Sequence, residues 1–243
     1  MNLLVVVPAY NEEESIELVI ENLRNICPKI DFLIVNDGST DNTERICIKN
    51  GYPLLNLPTN LGLSGAFGAG MKYAYENGYD AVLQFDADGQ HRPEYIVSLM
   101  DKLYEGNDIV IGSRFVTEKK PHSMRMFGSN LISFAILVTT KTRINDPTSG
   151  MRLYNKRMIR EYATQINMAP EPDTISYLIK RGARIEEIQV TMSERIAGQS
   201  YLTVLHSLTY MMQMSISILL VQFFRCGQKF KPAMIMKKKE SVA

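Results

Sequence analysis

The apolar positions along the chain follow two alternating rhythms. Leu3 to Val7 form an unbroken aliphatic run ended by Pro8, the pattern of a strand buried on both faces. Behind it, Ile16, Val19, Ile20, Leu23 and Ile26 recur at helical spacing, and the acidic cluster Glu12 to Glu14 sits where a helix N-terminus favours negative charge. The alternation repeats: FLIV (32–35) predicts a second strand, and NDGSTDNTERICIKN a turn and a helix capped near Ser39 to Asp41. LLNL (54–57) predicts a third strand, followed by a glycine-rich segment that opens a helix through Met71 to Tyr75. AVLQF (81–85) and DIVIGSRF (108–115) supply the fourth and fifth strands. Strands alternating with helices imply an α/β fold, a mostly parallel sheet with helices on both faces. Ligands of such sheets sit beyond the carboxyl ends of the strands, where PAYNEE, NDGSTD, DADGQ and GSR all fall.

After residue 116 the rhythm fades into a basic loop, EKKPHSMR, an apolar stretch, FGSNLISFAILVTT, and then DPTSGMRLYNKR, with no internal repeat. From Ile196 to Phe224 there is no Asp, Glu, Lys or Arg, and the tail beyond carries Arg225, Lys229, Lys231 and Lys237 to Lys239. Within the neutral run, Gln199, Thr203, His206, Tyr210, Gln213 and Ser217 recur three or four apart. That polar stripe predicts an amphipathic helix lying on a membrane or partner rather than a span. The expected organisation is a main domain over 1–200, an amphipathic helix over 201–225 and a basic, flexible tail over 226–243.

Composition narrows the partners. With 45% apolar and 22% charged residues the chain is long enough for one large domain, and its net charge of +1 argues against nucleic acid as the main partner. Three cysteines (Cys27, Cys47, Cys226) have no metal-ligand spacing and cannot all pair, which fits a reducing compartment. The N-terminal run lacks the charged start and cleavage site of a secretory signal.

FDADGQHRPE puts Asp86 and Asp88 one alanine apart at the end of a predicted strand. Like charges so close raise each other's pKa, a cost that a divalent cation removes. On spacing alone such a pair is weak, because solvated turns also carry it. Gln90 adds a neutral oxygen, and His91 is a ligand only for a manganese-like ion. The first two strands also end in acidic segments, which offer Tyr10, Glu12, Asp37 and Asp41; the last of these is better read as a helix cap. The glycines of NLGLSGAFGAG follow the third strand in a G-x-x-G-x-x-G-x-G order, which excludes a Rossmann dinucleotide loop and leaves them a packing role, with a donor contact secondary.

Taken together, VVVPAYNEEESI, VNDGSTDNT, NLGLSGAFGAGM, QFDADGQHRPE, IVIGSRF, DPTSGMRLYNKR and ERIAGQS resemble glycosyltransferase family 2 on a GT-A fold over residues 1 to about 200. The nearest branch is the dolichyl-phosphate mannose synthase and bacterial polyprenyl-phosphate glycosyltransferase group. The resemblance implies that Pro8, Ala9, Tyr10, Glu12 and Asp37 line a nucleotide pocket, while Asp86, Asp88 and Gln90 hold Mg2+ or Mn2+ on the diphosphate of a nucleotide-diphospho-sugar donor. It places Arg114 near the phosphates and makes Arg195 and Ser200 a diphosphate clamp; Tyr201 stands where the group usually has lysine. Asp146 corresponds to an acid near the acceptor, although Asp146-Pro147 is equally a turn initiator. Glu171 and Asp173 lie where hydroxyl-acceptor members carry a base, or are plain helix N-terminal acids.

The basic head Lys119, Lys120, His122 and Arg125 before an apolar stretch suits a phosphate on a greasy tail, or a membrane surface, with Arg125 and Lys120 the acceptor candidates. The expected activity is inverting, metal-dependent sugar transfer to polyprenyl phosphate at the cytoplasmic membrane face. The alternatives are transfer to a glycan hydroxyl and a catalytically silent nucleotide-sugar-binding subunit. The apolar faces at 126–138 and 202–221 are open to each other, to a sister chain in a homo-oligomer, to a small membrane-protein partner or to lipid.

Overall fold

In the computed structural model, residues 1–196, 204–225, 227, 229 and 230 are described. The order is β1 (Leu3–Ala9), α1 (Ile16–Ile26), β2 (Asp31–Asn36), α2 (Thr43–Lys49), β3 (Leu54–Asn56), α3 (Gly62–Glu76), β4 (Ala81–Gln84) and α4 (Ile96–Tyr104). Then follow β5 (Ile109–Ser113), α5 (Met124–Thr140), β6 (Arg152–Asn155), α6 (Lys156–Thr164), α7 (Pro172–Lys180), β7 (Ile185–Gln189) and α8 (Val204–Phe224).

The seven strands form one sheet in the order β3-β2-β1-β4-β6-β5-β7. Only β6 runs against its neighbours, pairing antiparallel with both β4 and β5. The five strands expected from the sequence are all present, and β1 shows why a continuous apolar run marks a central strand. Leu4 and Val6 enter one core with Phe67 and Met71 of α3 and Ile132 and Ile136 of α5. Val5 and Val7 enter the other, with Ile16, Ile20 and Leu23 of α1 and Leu99 of α4. Side chains alternate across a strand, so a strand covered on both faces is apolar at every position. Glycine lets α3 lie close to β1: a Cβ at Gly70 would overlap the Val6 side chain.

Two strands escape the apolar rhythm. β6 is the tetrapeptide RLYN, and its Arg152 is buried because three backbone carbonyls, of Pro147, Ser149 and Pro170, receive its guanidinium. β7, IEEIQ, is an edge strand whose acids serve neighbouring loops: Glu187 accepts from the backbone N–H groups of Asn145 and Asp146, both at 2.7 Å.

Helix α8 packs against α5 and α7, and Met211, Ser215 and Ile218 are its buried positions among the described side chains. Among the described residues, no helix is long and apolar enough to cross a membrane.

Candidate active site

Because β2, β1 and β4 are adjacent and parallel, their carboxyl ends open onto one edge of the sheet. The Asp37 N–H donates to the Ala9 carbonyl at 2.8 Å and Phe85 N–H to Val6 at 3.0 Å, which extends the ladder into the three loops. Between them lies a cavity of about 410 Å3 lined by Pro8, Ala9, Tyr10 and Glu12 after β1, Asp37 after β2, and Asp86, Ala87 and Asp88 after β4. Asn60, Gly62, Leu63 and Ala66 at the start of α3, and Arg195, complete the wall. Its size is that of a small-ligand pocket.

Each acid has a defined seat. Asp37 Oδ1 accepts from the Leu61 N–H at 2.7 Å, which ties the β2 loop to the free amides at the start of α3. Glu12 accepts from the Ser15 hydroxyl at 2.6 Å; burial, followed by repulsion from Asp88 and Asp86, pushes its carboxyl above the usual range. Asp88 Oδ1 accepts from the Gln90 N–H at 2.9 Å, and its Oδ2 meets the Arg195 guanidinium at 2.9 Å.

His91 stands behind Asp86 instead of ligating. The Asp86 N–H donates to its Nδ1 at 2.9 Å, so the ring proton belongs on Nε2, which faces Asp86 Oδ2 at 3.4 Å. The other side of Asp86 is closed by Gly150, where an added Cβ would lie 2.6 Å from Oδ2. Four carboxylates line the cleft, Glu12, Asp37, Asp86 and Asp88, and the last two, from a single three-residue turn, offer hard oxygens whose crowded negative charge suits a divalent cation. A fitted histidine and a missing side chain hold Asp86 in that site, so the residues present fit Mg2+ or Mn2+.

Other expected site residues lie elsewhere. Gln90 is outside the cavity wall and acts through its backbone, donating to Asp88 and accepting from the Ser193 N–H. Arg114 ends β5 at the same sheet edge, but β6 separates β5 from β4, and Arg114 is not part of the cleft wall. It grips Asp146 in two parallel bonds, Nε to Oδ2 at 2.7 Å and a terminal nitrogen to Oδ1 at 2.9 Å. Asp146 is fully buried and also accepts from the Arg114 N–H, so it braces the DPTSG loop and offers no free oxygen to an acceptor. Burial alone would raise its carboxyl; the Arg114 bonds outweigh that and hold it below the usual range.

Glu171 and Asp173 also turn away from the cleft. Glu171, half-buried and raised by burial, accepts from the Tyr210 hydroxyl, and Asp173 accepts from Ser217 at 2.8 Å, so both acids anchor α8. Asp41 stands one residue before Asn42, the N-cap of α2, and accepts from the Thr43 N–H at 2.9 Å.

A second cavity, about 580 Å3, lies between the 115–120 loop, α5 and residues 143–145. Lys119, Lys120 and Arg143 line it together with Phe115, Phe134 and Leu137. Lys120 Nζ reaches the Ser129 hydroxyl at 3.0 Å and lies 5.5 Å from the Phe115 ring centre; burial lowers its pKa. Arg125 falls in the first turn of α5, and its side chain is not among those described. Ser200 and Tyr201 lie outside the described residues.

Asn60, Leu63 and Ala66, in the glycine-rich segment for which the sequence indicates only a secondary donor contact, form one wall of the cleft. Its signal was present in the glycine-rich segment, since Gly62 begins α3 with a φ of 73° that only glycine adopts readily.

Comparison with known proteins agrees with this geometry. The chain is 32% identical over 219 residues to the undecaprenyl-phosphate mannosyltransferase of Micrococcus luteus, covering 82% of this chain and 87% of that protein. It is 28% identical over 216 residues to the polyprenol monophosphomannose synthase of Mycolicibacterium smegmatis, covering 81% and 79%. The crystal structure of glucosyl-3-phosphoglycerate synthase from Mycobacterium tuberculosis with Mn2+ and UDP-glucose superposes with a TM-score of 0.64 at 20% identity, over 91% of this chain and 78% of that one, and so shares the GT-A fold. Residues 4–163 match the description Glycosyl transferase family 2. The chain belongs to that family and is a glycosyltransferase.

Proposed function

We propose that the enzyme moves a sugar from a nucleotide-diphospho-sugar to polyprenyl phosphate, with inversion at the transferred carbon. The observation that carries this reading is the meeting of Asp37, Asp86, Asp88 and Arg195 on one cleft. Pro8, Ala9, Tyr10 and Asp37 take the nucleoside, and Asp86 and Asp88 take a Mg2+ or Mn2+ ion together with the donor's diphosphate. Among the described residues no group of three or more His, Cys, Asp or Glu side chains is arranged to hold a metal by itself, which supports sharing the ion with phosphate oxygens. When bound, the cation supplies positive charge that offsets the negative charge building on the leaving diphosphate. Arg195, already in the cleft, is the second positive group for that charge.

The acceptor follows from where the other acids are. A sugar hydroxyl needs a general base, whereas a phosphate monoester is already an anionic nucleophile. Asp146 is buried with its oxygens engaged, and Glu171 and Asp173 are committed to α8, which favours the phosphate acceptor over the glycan one. The cavity bearing Lys120 and Arg143 beside Phe134 and Leu137 offers cations next to apolar surface, the chemistry of a phosphate on a prenyl chain. The names of the two mannosyltransferase relatives support the same acceptor class and make a mannosyl donor the first to test.

Incubation with a panel of labelled nucleotide sugars and short-chain polyprenyl phosphate tests the proposal. Label should appear in an acid-labile lipid product with at least one donor. Label appearing only in glycan, or donor binding without any transfer, would overturn it.

A further inference from the structure

Arg152 of β6 is among the largest fully buried side chains of the protein, and it takes no part in the cleft wall. Burying a cation is costly, and an apolar residue of similar volume often serves stability as well or better. Its neighbour across the strands does not hold it either: Gln84, opposite Arg152 in the β4–β6 ladder, keeps its Oε1 without a hydrogen bond. The guanidinium is committed to backbone instead. Nε donates to the Ser149 carbonyl at 2.8 Å, and the terminal nitrogens donate to Pro147 at 2.7 Å and to Pro170 at 2.8 Å.

Those carbonyls fix the wall behind Asp86. β4 and β6 pair antiparallel with Arg152 opposite Gln84, and the same register carried two residues further sets Gly150 opposite Asp86. The approach is close: a Cβ at Gly150 would lie 2.6 Å from Asp86 Oδ2. Ser149, which Arg152 holds, is the residue before Gly150, and its hydroxyl donates to the Gly112 carbonyl of β5 at 2.5 Å. Pro170 leads through Glu171 into α7, so one side chain fastens the 147–150 loop to the helical layer as well. Lysine would not reproduce this, because its ammonium is a point charge on a flexible stem, whereas the planar arginine fork spans several acceptors at once. Disturbing the support of a metal ligand changes metal affinity by roughly 10- to 100-fold.

We infer that Arg152 is a positioning residue for the cation site: its grip on Pro147, Ser149 and Pro170 holds Gly150 against Asp86 and so fixes where that carboxylate points. The inference rests on the reading of Asp86 and Asp88 as the seat of the ion. Arg152 acts through Gly150, standing outside the cavity that takes the donor.

Mn2+ binding followed by electron paramagnetic resonance, with uridine or guanosine diphosphate present, tests this apart from turnover. Arg152→Lys should weaken Mn2+ binding by roughly tenfold or more while the circular dichroism of the fold stays native. Ser149→Ala, a smaller change that frees the same loop from Gly112, should shift the affinity in the same direction. The double variant Arg152→Lys with Gly150→Ala separates positioning from general loosening. Residues that act through one contact should together weaken binding by much less than the product of their single effects, whereas independent effects multiply. Arg152→Lys and Ser149→Ala proteins that bind Mn2+ as the wild type does, whatever their melting temperatures, would overturn the inference, and so would effects of Arg152→Lys and Gly150→Ala that multiply. A wild-type chain that binds no Mn2+ with either nucleotide would instead overturn the cation reading, and the inference with it.

Discussion

Arg114 and Asp146 give the sharpest contrast between a braced loop and a catalytic acid. Asp146 is fully buried, while Arg114 keeps some contact with solvent. Arg114→Met therefore leaves a carboxylate in the interior with its main cation gone, whereas Asp146→Asn leaves an arginine that can turn outward. Removing one partner of a buried ion pair costs about 3–5 kcal/mol. Lys120 stays near Asp146 and offsets part of that cost, so the lower end, about 3 kcal/mol, is expected for Arg114→Met. In a protein of this size each kcal/mol is worth roughly 2–4 °C, giving a fall in Tm of about 6–12 °C, with a clearly smaller fall for Asp146→Asn. The pH dependence carries the opposite signature to a general base. Asp146 has a depressed folded pKa, so its contribution is fully present above the unfolded value of about 4 and is lost as pH falls through the folded value. The stability gap between the wild type and Asp146→Asn should then be constant from pH 8 to pH 5 and close in strong acid. Thermal and denaturant unfolding of the three proteins checks this. Equal stability at pH 7, with transfer alone lost, would refute the bracing role.

Gly150→Ala should place a methyl group against the Asp86 carboxylate and lower transfer roughly 10- to 100-fold at unchanged Tm, the range seen when the support of a metal ligand is disturbed. His91→Ala should act in the same direction, because it removes the ring that receives the Asp86 N–H, and calorimetric Mn2+ titration would register the loss apart from activity. Tyr210→Phe takes a hydroxyl from the half-buried Glu171 and should cost about 1–3 kcal/mol in denaturant unfolding, with the donor KM unchanged.

Much of this architecture was legible in the order of residues, and the exceptions share a cause. β1, β2, β4 and β5 lie inside the sheet, so their apolar runs and the polar loops after them locate the cleft from the sequence alone. β6 and β7 escaped because charged groups there are satisfied by backbone groups that no apolar rhythm reveals: Arg152 by the loop carbonyls of Pro147, Ser149 and Pro170, Glu187 by backbone amides some forty residues away. The partner of Arg114 was hidden for a similar reason. Its motif ends a strand at the correct edge, and only the insertion of an antiparallel β6, which no local pattern announces, moves it one strand farther from Asp86. His91 was judged by its chemistry as a possible ligand, but the tautomer set by the Asp86 N–H makes it a support. The acids at 171 and 173 carried two readings until α8 supplied Tyr210 and Ser217 as partners.

The most direct test of the central claim is calorimetric binding of uridine and guanosine diphosphates to the wild type and to Asp88→Asn, each with Mn2+ and with a chelator. At least one nucleotide should bind the wild type far more tightly with the ion present, and the asparagine variant should lose this dependence while keeping its fold. Equal affinity with and without the ion, or an Asp88→Asn variant that keeps the full metal effect, would contradict it.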